Sequence, residues 1–338
     1  MAKQSLSVIL MKVLIILNYR RDKSGITNQI IELKNGFERE GIETHLVSTY
    51  GNVFKRLSSI INSFRKAKGT DLIIAAGCAY FGFYPIFVGS LVGTLRRKKV
   101  IVNFHDGLGE KFLAQCGWLC RLIIGKKYVA VASGFLFEVF KRYAYKAVLI
   151  PNHFFENKSI TVKVTRSIFE KRVIWARSFE KLYRPELALE IADVISKKTG
   201  AVFDFYGDGS LYNGLSRKFK NDHIRFFGFV PREILFKKYG EYDIFLNTSD
   251  YDNFPLSIVE AGLNKLLVVT SAASGIVSIY NNDEVIYAHN KEEFINKLLD
   301  VVENYEKYQD IKINLFKKVQ SFNWENVKHQ WLNLIKTK

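Results

Sequence analysis

Residues 247–270 read NTSDYDNFPLSIVEAGLNKLLVVT. The stretch starts at a strand end, crosses a polar loop, enters a helix and closes on a second apolar strand. Parallel strands need such a crossover helix, so this pattern points to an α/β sheet. Asp252 lies in the loop, and Glu260 follows eight residues on, inside the helix. Pro255 is placed in the first helical turn, where proline is tolerated. The backbone N–H groups between Phe254 and Ser257, those of Phe254, Leu256 and Ser257, then stand at a helix N-terminus, which attracts an anion. A carboxylate about one and a half turns further on reaches sugar hydroxyls beside that anion. Glu260 is flanked by Ile258, Val259, Ala261 and Leu263, so its charge points into a site or costs heavily on burial. The alternative is plainer: Asp252 caps the helix and Glu260 is a solvated charge.

Working outward, strand and helix signals alternate along the whole chain. In the first half, Lys12–Asn18 (KVLIILN) is an apolar run of strand length. An amphipathic stretch follows from Asn28 to Glu40, and Gly41 stops it. Further strands are expected at Glu43–Ser48, Asp71–Ala76, Val100–Phe104, Tyr128–Ala132 and Ala147–Ile150. The pattern pauses at Pro151-Asn152, and Phe154–Glu170 has the mixed polar composition of a linker. It restarts with a strand at Arg172–Ala176, a helix at Pro185–Lys198 and a strand at Val202–Tyr206. Strands at His223–Phe227, Ile244–Asn247, Leu266–Thr270 and Val285–Tyr287 follow, with helices at Glu292–Asn304 and Tyr308–Gln320. Continuous apolar strands separated by helices form parallel sheets covered on both faces. The expected fold class is therefore α/β, with two doubly wound units in series. Ligands of such sheets bind outside the carboxyl ends of the strands, and a cleft between two domains is the default site. The uncharged run Cys78–Leu95 is broken by three glycines and Pro85, so it reads as a turn and a buried helix rather than a membrane span.

Composition narrows the class further. The 338 residues are 48% hydrophobic and 25% charged, which excludes a disordered chain, a collagen repeat and a heptad rod. The net charge of +17 is uneven: residues 1–150 carry +14 and residues 151–338 carry +3. That asymmetry suits an anionic partner of the first half. Three cysteines cannot build a disulfide framework, and Cys116 and Cys120 read as small buried apolar residues. A reducing compartment without a secretory leader is expected. The phosphate loop G-x-x-x-x-G-K-[ST], the full G-x-G-x-x-G, H-E-x-x-H and G-x-S-x-G are absent from the sequence. The six histidines are scattered, so no metal is expected to bind.

Upstream of the deciding stretch, Arg177 follows the strand RVIWA, with Lys181 and Arg184 close behind. Cations at the carboxyl end of a strand fit a diphosphate. Gly207 and Gly209 (YGDG) and the segment FFGFV (Phe226–Val230) stand at two further strand ends, where glycine permits close backbone approach.

Taken together, ARSFEKLYRPELAL, FYGDGSLYNGL, IRFFGFVPREIL and NTSDYDNFPLSIVEAG resemble the donor domain of family 4 retaining glycosyltransferases with the GT-B fold. The D-N-x-P-x-S-x-x-E run, Asp252 to Glu260, is similar to that family's pair of acids eight residues apart. SFNWENVKHQWLNLI resembles its terminal helix, and IVNFHDGLGEKFL resembles its acceptor-side histidine loop. The resemblance implies two Rossmann-like domains facing across a cleft. The first, over residues 1–160, binds acceptor, with its first strand from about residue 11. The second, over 161–320, binds the nucleotide sugar, and a helix over 321–338 crosses back to the first domain. It also implies roles. Arg177, with Lys181 or Arg184, neutralises the leaving diphosphate. Glu260 binds the ribose. Asp252, with the amides of Asn253, Phe254, Pro255 and Leu256 as its loop, holds the transferred sugar. Gly25 approaches the phosphates, Gly207 and Gly209 line the donor, and Phe229 and Val230 meet the base through their backbone. His105 shapes the sugar site.

The implied reaction moves a sugar from a UDP- or GDP-sugar to a hydroxyl of a glycan or lipid-linked acceptor, with retention and without a metal. Surface polysaccharide or lipopolysaccharide synthesis on the inner face of the cytoplasmic membrane is the expected setting, with no nucleic-acid partner. Two rivals are a GT-B nucleotide-sugar 2-epimerase and a non-catalytic basic adaptor binding nucleic acid or anionic lipid. Finally, Asn52 to Lys66 spaces Phe54, Leu57, Ile60, Ile61 and Phe64 among Lys55, Arg56, Arg65 and Lys66. That spacing predicts an amphipathic helix suited to an acidic membrane interface.

Overall fold

Two six-stranded sheets, parallel throughout, carry the chain. The computed structural model describes residues 11–19, 25–154 and 169–337. The chain divides into one unit of residues 1–155 with 324–338, and a second of residues 156–323. Residues 155–168 lie outside the described residues, and so does the linker expected there.

In the first unit the strands are β1 Lys12–Leu17, β2 Glu43–Ser48, β3 Leu72–Gly77, β4 Lys99–Phe104, β5 Tyr128–Val131 and β6 Lys146–Leu149. The helices are α1 Gly25–Arg39, α2 Val53–Lys66, α3 Tyr84–Arg96, α4 Gly109–Ile124 and α5 Gly134–Arg142. The sheet order is β2-β1-β3-β4-β5-β6. Strands β1 and β3 are buried almost throughout, as continuous Val/Ile/Leu runs require when both faces are covered. Helices α2 to α5 fill one face. Helix α1 and the terminal helix cover the other. The expected turn-and-helix reading of the uncharged run holds: a 3-10 turn at Tyr80–Phe83 leads into α3, and no helix among the described residues is long and apolar enough to cross a membrane.

In the second unit the strands are β7 Arg172–Ala176, β8 Val202–Tyr206, β9 Ile224–Gly228, β10 Ile244–Asn247, β11 Leu267–Ser271 and β12 Ile286–Ala288, in the order β12-β11-β10-β7-β8-β9. Its helices are α6 Pro185–Thr199, α7 Tyr212–Lys218, α8 Arg232–Tyr239, α9 Leu256–Leu263, α10 Ser274–Val277, α11 Lys291–Glu303 and α12 Gln309–Gln320. The terminal helix α13, Trp324–Lys336, is part of the first unit. Trp324 lies so close over Gly36 of α1 that a methyl group there would sit 2.7 Å from its ring. Lys99 donates to the carbonyls of Leu334 (2.7 Å) and Ile335 (3.2 Å), closing the last turn of α13 with a cation.

The sheet orders locate the crevices. From β7 the chain runs outward to β8 and β9, then returns to β10 on the other side of β7. The switch point of the second sheet therefore lies between β7 and β10. In the first sheet it lies between β1 and β3.

Candidate active site

Arg177 is the residue after β7, and Asn247–Asp252 leave β10 beside it, so both segments emerge at the switch point. The Asn247-Thr248-Ser249 run is polar in sequence yet fully buried. Its groups are consumed in holding the crevice. The Trp175 indole donates to Thr248 Oγ1 (3.1 Å), Thr248 donates to the Tyr183 carbonyl (2.8 Å), and Asn247 donates to Thr270 Oγ1 (3.0 Å). This network ties β7, β10 and β11 together beneath the loop that carries Asp252.

Arg177 and Asp252 form a buried ion pair. Arg177 also donates to Ser257 Oγ (3.0 Å), in the first turn of α9, and lies 4.3 Å over the Tyr183 ring. Burial opposes the Arg177 charge, but Asp252, together with the Tyr183 and Tyr239 phenols, outweighs it and holds the guanidinium above its ordinary value. Burial raises the Asp252 carboxyl, against the pull of Arg177 and of the Asn253 amide that hydrogen-bonds to it. The pair is thus held together by mutual need in a dry site. Helix α9 begins at Leu256, with Pro255 as its cap rather than its first residue. The amide of Asn253 serves the Asp252 carboxylate, so it is already engaged.

Glu260 is buried and accepts from Arg232 Nε at 2.6 Å. Arg232 was invisible as a partner from the sequence, 28 residues away. A signal existed: a cation at the first position of α8 opposes the helix dipole, and an acid set among apolar residues needs a cation. The fully buried Tyr239 phenol feels the charges of Glu260, Arg177 and Arg232, which puts the two ion pairs in one neighbourhood. Among the described residues of the second unit, three buried side-chain polar atoms have no hydrogen-bond partner: Arg177 Nε, Tyr239 OH and Tyr280 OH. Tyr280 feels the charge of Asp252, so both phenols lie near this pair.

The other candidates are placed as follows. Lys181 is exposed on the short 3-10 turn Lys181–Tyr183. Arg184 has a left-handed backbone (φ +49°) and donates to Asp250 at 3.0 Å. Gly207 (φ +131°) and Gly209 press on the chain itself: an added methyl would lie 1.9 Å from the Arg177 carbonyl oxygen and 2.7 Å from that of Phe179. These glycines therefore set the Arg177 loop against β8. Gly275 does the same for the acid, since a methyl there would sit 2.0 Å from the Asp252 carbonyl oxygen. Phe254 is buried on Phe322, 5.1 Å between centroids. Phe229 is exposed and Val230 half-buried beyond β9.

In the first unit, Gly25 opens α1 after β1. His105 follows β4, is buried, and has its Nε2 unpartnered. Burial holds it at a pKa of about 4, so it is a neutral imidazole near neutral pH. The next residue, Asp106, accepts from the amides of Ala79 and Leu108, both at 2.9 Å, and burial raises its carboxyl. Among the described residues, no group of three or more His, Cys, Asp or Glu is placed to hold a metal ion.

Residues 163–318 match the family described as Glycosyl transferases group 1. The O-antigen biosynthesis glycosyltransferase WbnH of Escherichia coli is 29% identical over 128 residues, 38% of this chain and 36% of that one. A probable sucrose-phosphate synthase of Thermosipho melanesiensis is 36% identical over 96 residues, 27% of this chain and 22% of that one. The matches thus span about a third or less of these curated relatives. Among solved structures, HepE of Anabaena, in complex with UDP and glucose, superposes with a TM-score of 0.75 at 16% identity, over 97% of this chain and 100% of that one. A sucrose-phosphate synthase of Thermosynechococcus elongatus gives 0.77 at 15% identity, over 96% and 98%. Both likenesses are of fold. Residues 163–318 are therefore similar to group 1 glycosyltransferase domains, in a chain of two α/β units with the GT-B fold.

Proposed function

We propose that the protein is a retaining glycosyltransferase that moves a sugar from a nucleotide-diphosphate sugar to a hydroxyl of a glycan or lipid-linked acceptor, in bacterial surface polysaccharide synthesis. One observation carries this reading. At the switch point of the second sheet, Arg177 and Asp252 face each other beside the start of α9, and Arg177 Nε and the nearby Tyr239 and Tyr280 hydroxyls are buried without hydrogen-bond partners. Buried donors of this kind favour a ligand that brings its own acceptors. A diphosphate brings them to the Arg177 guanidinium and to the first amides of α9.

Breaking the bond between the anomeric carbon and the diphosphate oxygen leaves negative charge on the diphosphate. Arg177 and the α9 amides are fixed beforehand to meet that charge, which is the electrostatic part of the catalysis. The acceptor oxygen bonds to the anomeric carbon on the same face, and its proton passes to the departing diphosphate oxygen. Asp252 changes partner from Arg177 to the sugar hydroxyls. Glu260, aimed by Arg232, takes the ribose. Lys181, exposed and near the loop, is the second diphosphate cation, whereas the Arg184 charge is already met by Asp250. No metal is needed for this charge balance. The setting is the cytoplasm, on the inner face of the membrane. HepE was solved with UDP, and that supports a uridine donor here.

The test is a thermal-shift screen with UDP, GDP, ADP and their sugars in chelator. A rise in Tm with one of the nucleotides, absent in Arg177→Ala, is expected. No shift with any nucleotide would favour a non-catalytic adaptor.

A further inference from the structure

Helix α2 is turned against the usual sense for a helix that covers a sheet. Its inward side is Ser59 and Ser63, followed by Ala67, with Ile60 and Phe64 only half-buried beside them. Its large apolar residues point to solvent: Phe54 is 81% exposed, and Leu57 and Ile61 are each 56% exposed. Spacings of three and four put these residues on one stripe.

The stripe continues across the layer. Helices α2, α3 and α4 fill one core on the same face of the first sheet. The Tyr84 phenol of α3 donates to the Arg56 carbonyl of α2 (3.0 Å), and Arg96 Nε donates to that of Phe64 (3.2 Å). Tyr80, just before α3, donates to Gln115 of α4 (2.7 Å). On α4, Trp118 is 74% and Leu122 75% exposed. Ten of the nineteen exposed large hydrophobic side chains among the described residues lie on α2, α3, α4 or the turn before α3, so this layer is not an average surface. Its charge is one-sided too. Residues 53–124 hold eleven Lys and Arg against three acids, and each acid is engaged: Asp71 by the Lys12 amide, Asp106 by that of Ala79 and Glu110 by Arg142.

We propose that the outward side of α2, α3 and α4 is a docking face for an anionic lipid bilayer. Phe54, Leu57, Ile61, Trp118 and Leu122 enter the headgroup region while the cations around them meet lipid phosphates. A folded protein partner would have to supply an apolar face and a field of acids together. A bilayer of acidic phospholipid supplies both along its whole plane. An aliphatic stripe also has nothing to offer a nucleic acid. The docking concerns the first unit alone and does not rest on the donor site.

Trp118 reports on it. Trp175, Trp324 and Trp331 are buried, so bromine-labelled acyl chains quench Trp118 selectively. The protein is mixed with phosphatidylcholine vesicles, with or without phosphatidylglycerol, some carrying brominated chains. Expected are sedimentation with the anionic vesicles at low salt, quenching of Trp118, and at least roughly tenfold weaker binding in about 0.5 M salt. The triple variant F54S/L57S/I61S is expected to lose at least about tenfold in binding with no fall in Tm, because these side chains are exposed. Arg177→Ala is expected to bind vesicles as the wild type does, so the failure of the donor site would leave this claim standing. No sedimentation with anionic vesicles at low salt would overturn the proposal, as would binding without quenching or undiminished binding by the triple variant. A dimer in vesicle-free solution that the triple variant dissociates would also overturn it, by assigning the face to a second copy.

Discussion

In the proposed donor chemistry Arg177 is the residue on which most turns, because its charge touches both Asp252 and Ser257, at the start of α9. Arg177→Ala and Glu260→Ala are each expected to lower kcat/KM by at least about 10²-fold, near 2.7 kcal/mol of transition-state stabilisation. Steady-state kinetics on the folded variants checks this. Arg232→Ala is expected to weaken donor binding through Glu260, raising KM more than it lowers kcat. The placement of Arg177 after a strand, Asp252 in a loop and Glu260 within a helix was legible in the sequence. Arg232, Tyr239 and Tyr280 were not, because their partners meet them only through the fold. His105 and His153 show a second residue-scale effect. Burial lowers both to about 4, below the unfolded value near 6.5. The unfolded chain then binds more protons between those limits, so stability is full above about pH 6.5 and falls as pH drops towards 4. Each histidine accounts for on the order of 3 kcal/mol across that window. Denaturant melts at pH 7 and pH 5 measure the loss, and His105→Gln is expected to flatten its slope.

At the scale of elements, strand boundaries were readable to within about a residue, because parallel strands buried on both faces are continuous apolar runs bounded by turn residues. Strands β2, β7, β8 and β10 match their expected ranges, and the others shift by one residue at one or both ends. Two features were not readable. The Asn247–Ser249 run is polar like a surface loop, but its groups are spent across three strands. The orientation of α2 is also hidden: the amphipathic pattern predicts the helix, and only packing shows that serines face the sheet. The β8 turn gives the sharpest element-scale test. Gly207→Ala is strained at φ +131° and clashes with the Arg177 carbonyl, so a loss of about 2–4 kcal/mol is expected, with activity falling as Arg177 is displaced. Gly214→Ala, in the middle of α7 with open space around it, is the control. It is expected to be neutral or stabilising by about 1 kcal/mol. Thermal or urea melts of the pair decide the point.

At the scale of the whole molecule, both sheets were legible as doubly wound, because the alternation of strand and helix repeats twice with a pause at Pro151. The return of α13 to the first unit rested on resemblance alone, and its packing explains why it is fixed there. Trp324 sits on Gly36 and stacks edge-on to Phe37 at 6.1 Å. Trp324→Ala is expected to cost about 3–5 kcal/mol in the first unit, read as an earlier unfolding transition. The proposed chemistry uses a nucleotide-diphosphate sugar as donor, through Arg177 and without a metal. The most direct measurement is release of nucleoside diphosphate from a panel of UDP-, GDP- and ADP-sugars in the presence of EDTA, wild type beside Arg177→Ala. Release from one nucleotide class by the wild type is expected, with at least about 10²-fold slower release by the variant. Release that stops in EDTA and returns with Mn²⁺, or equal release by the two proteins, would contradict this chemistry.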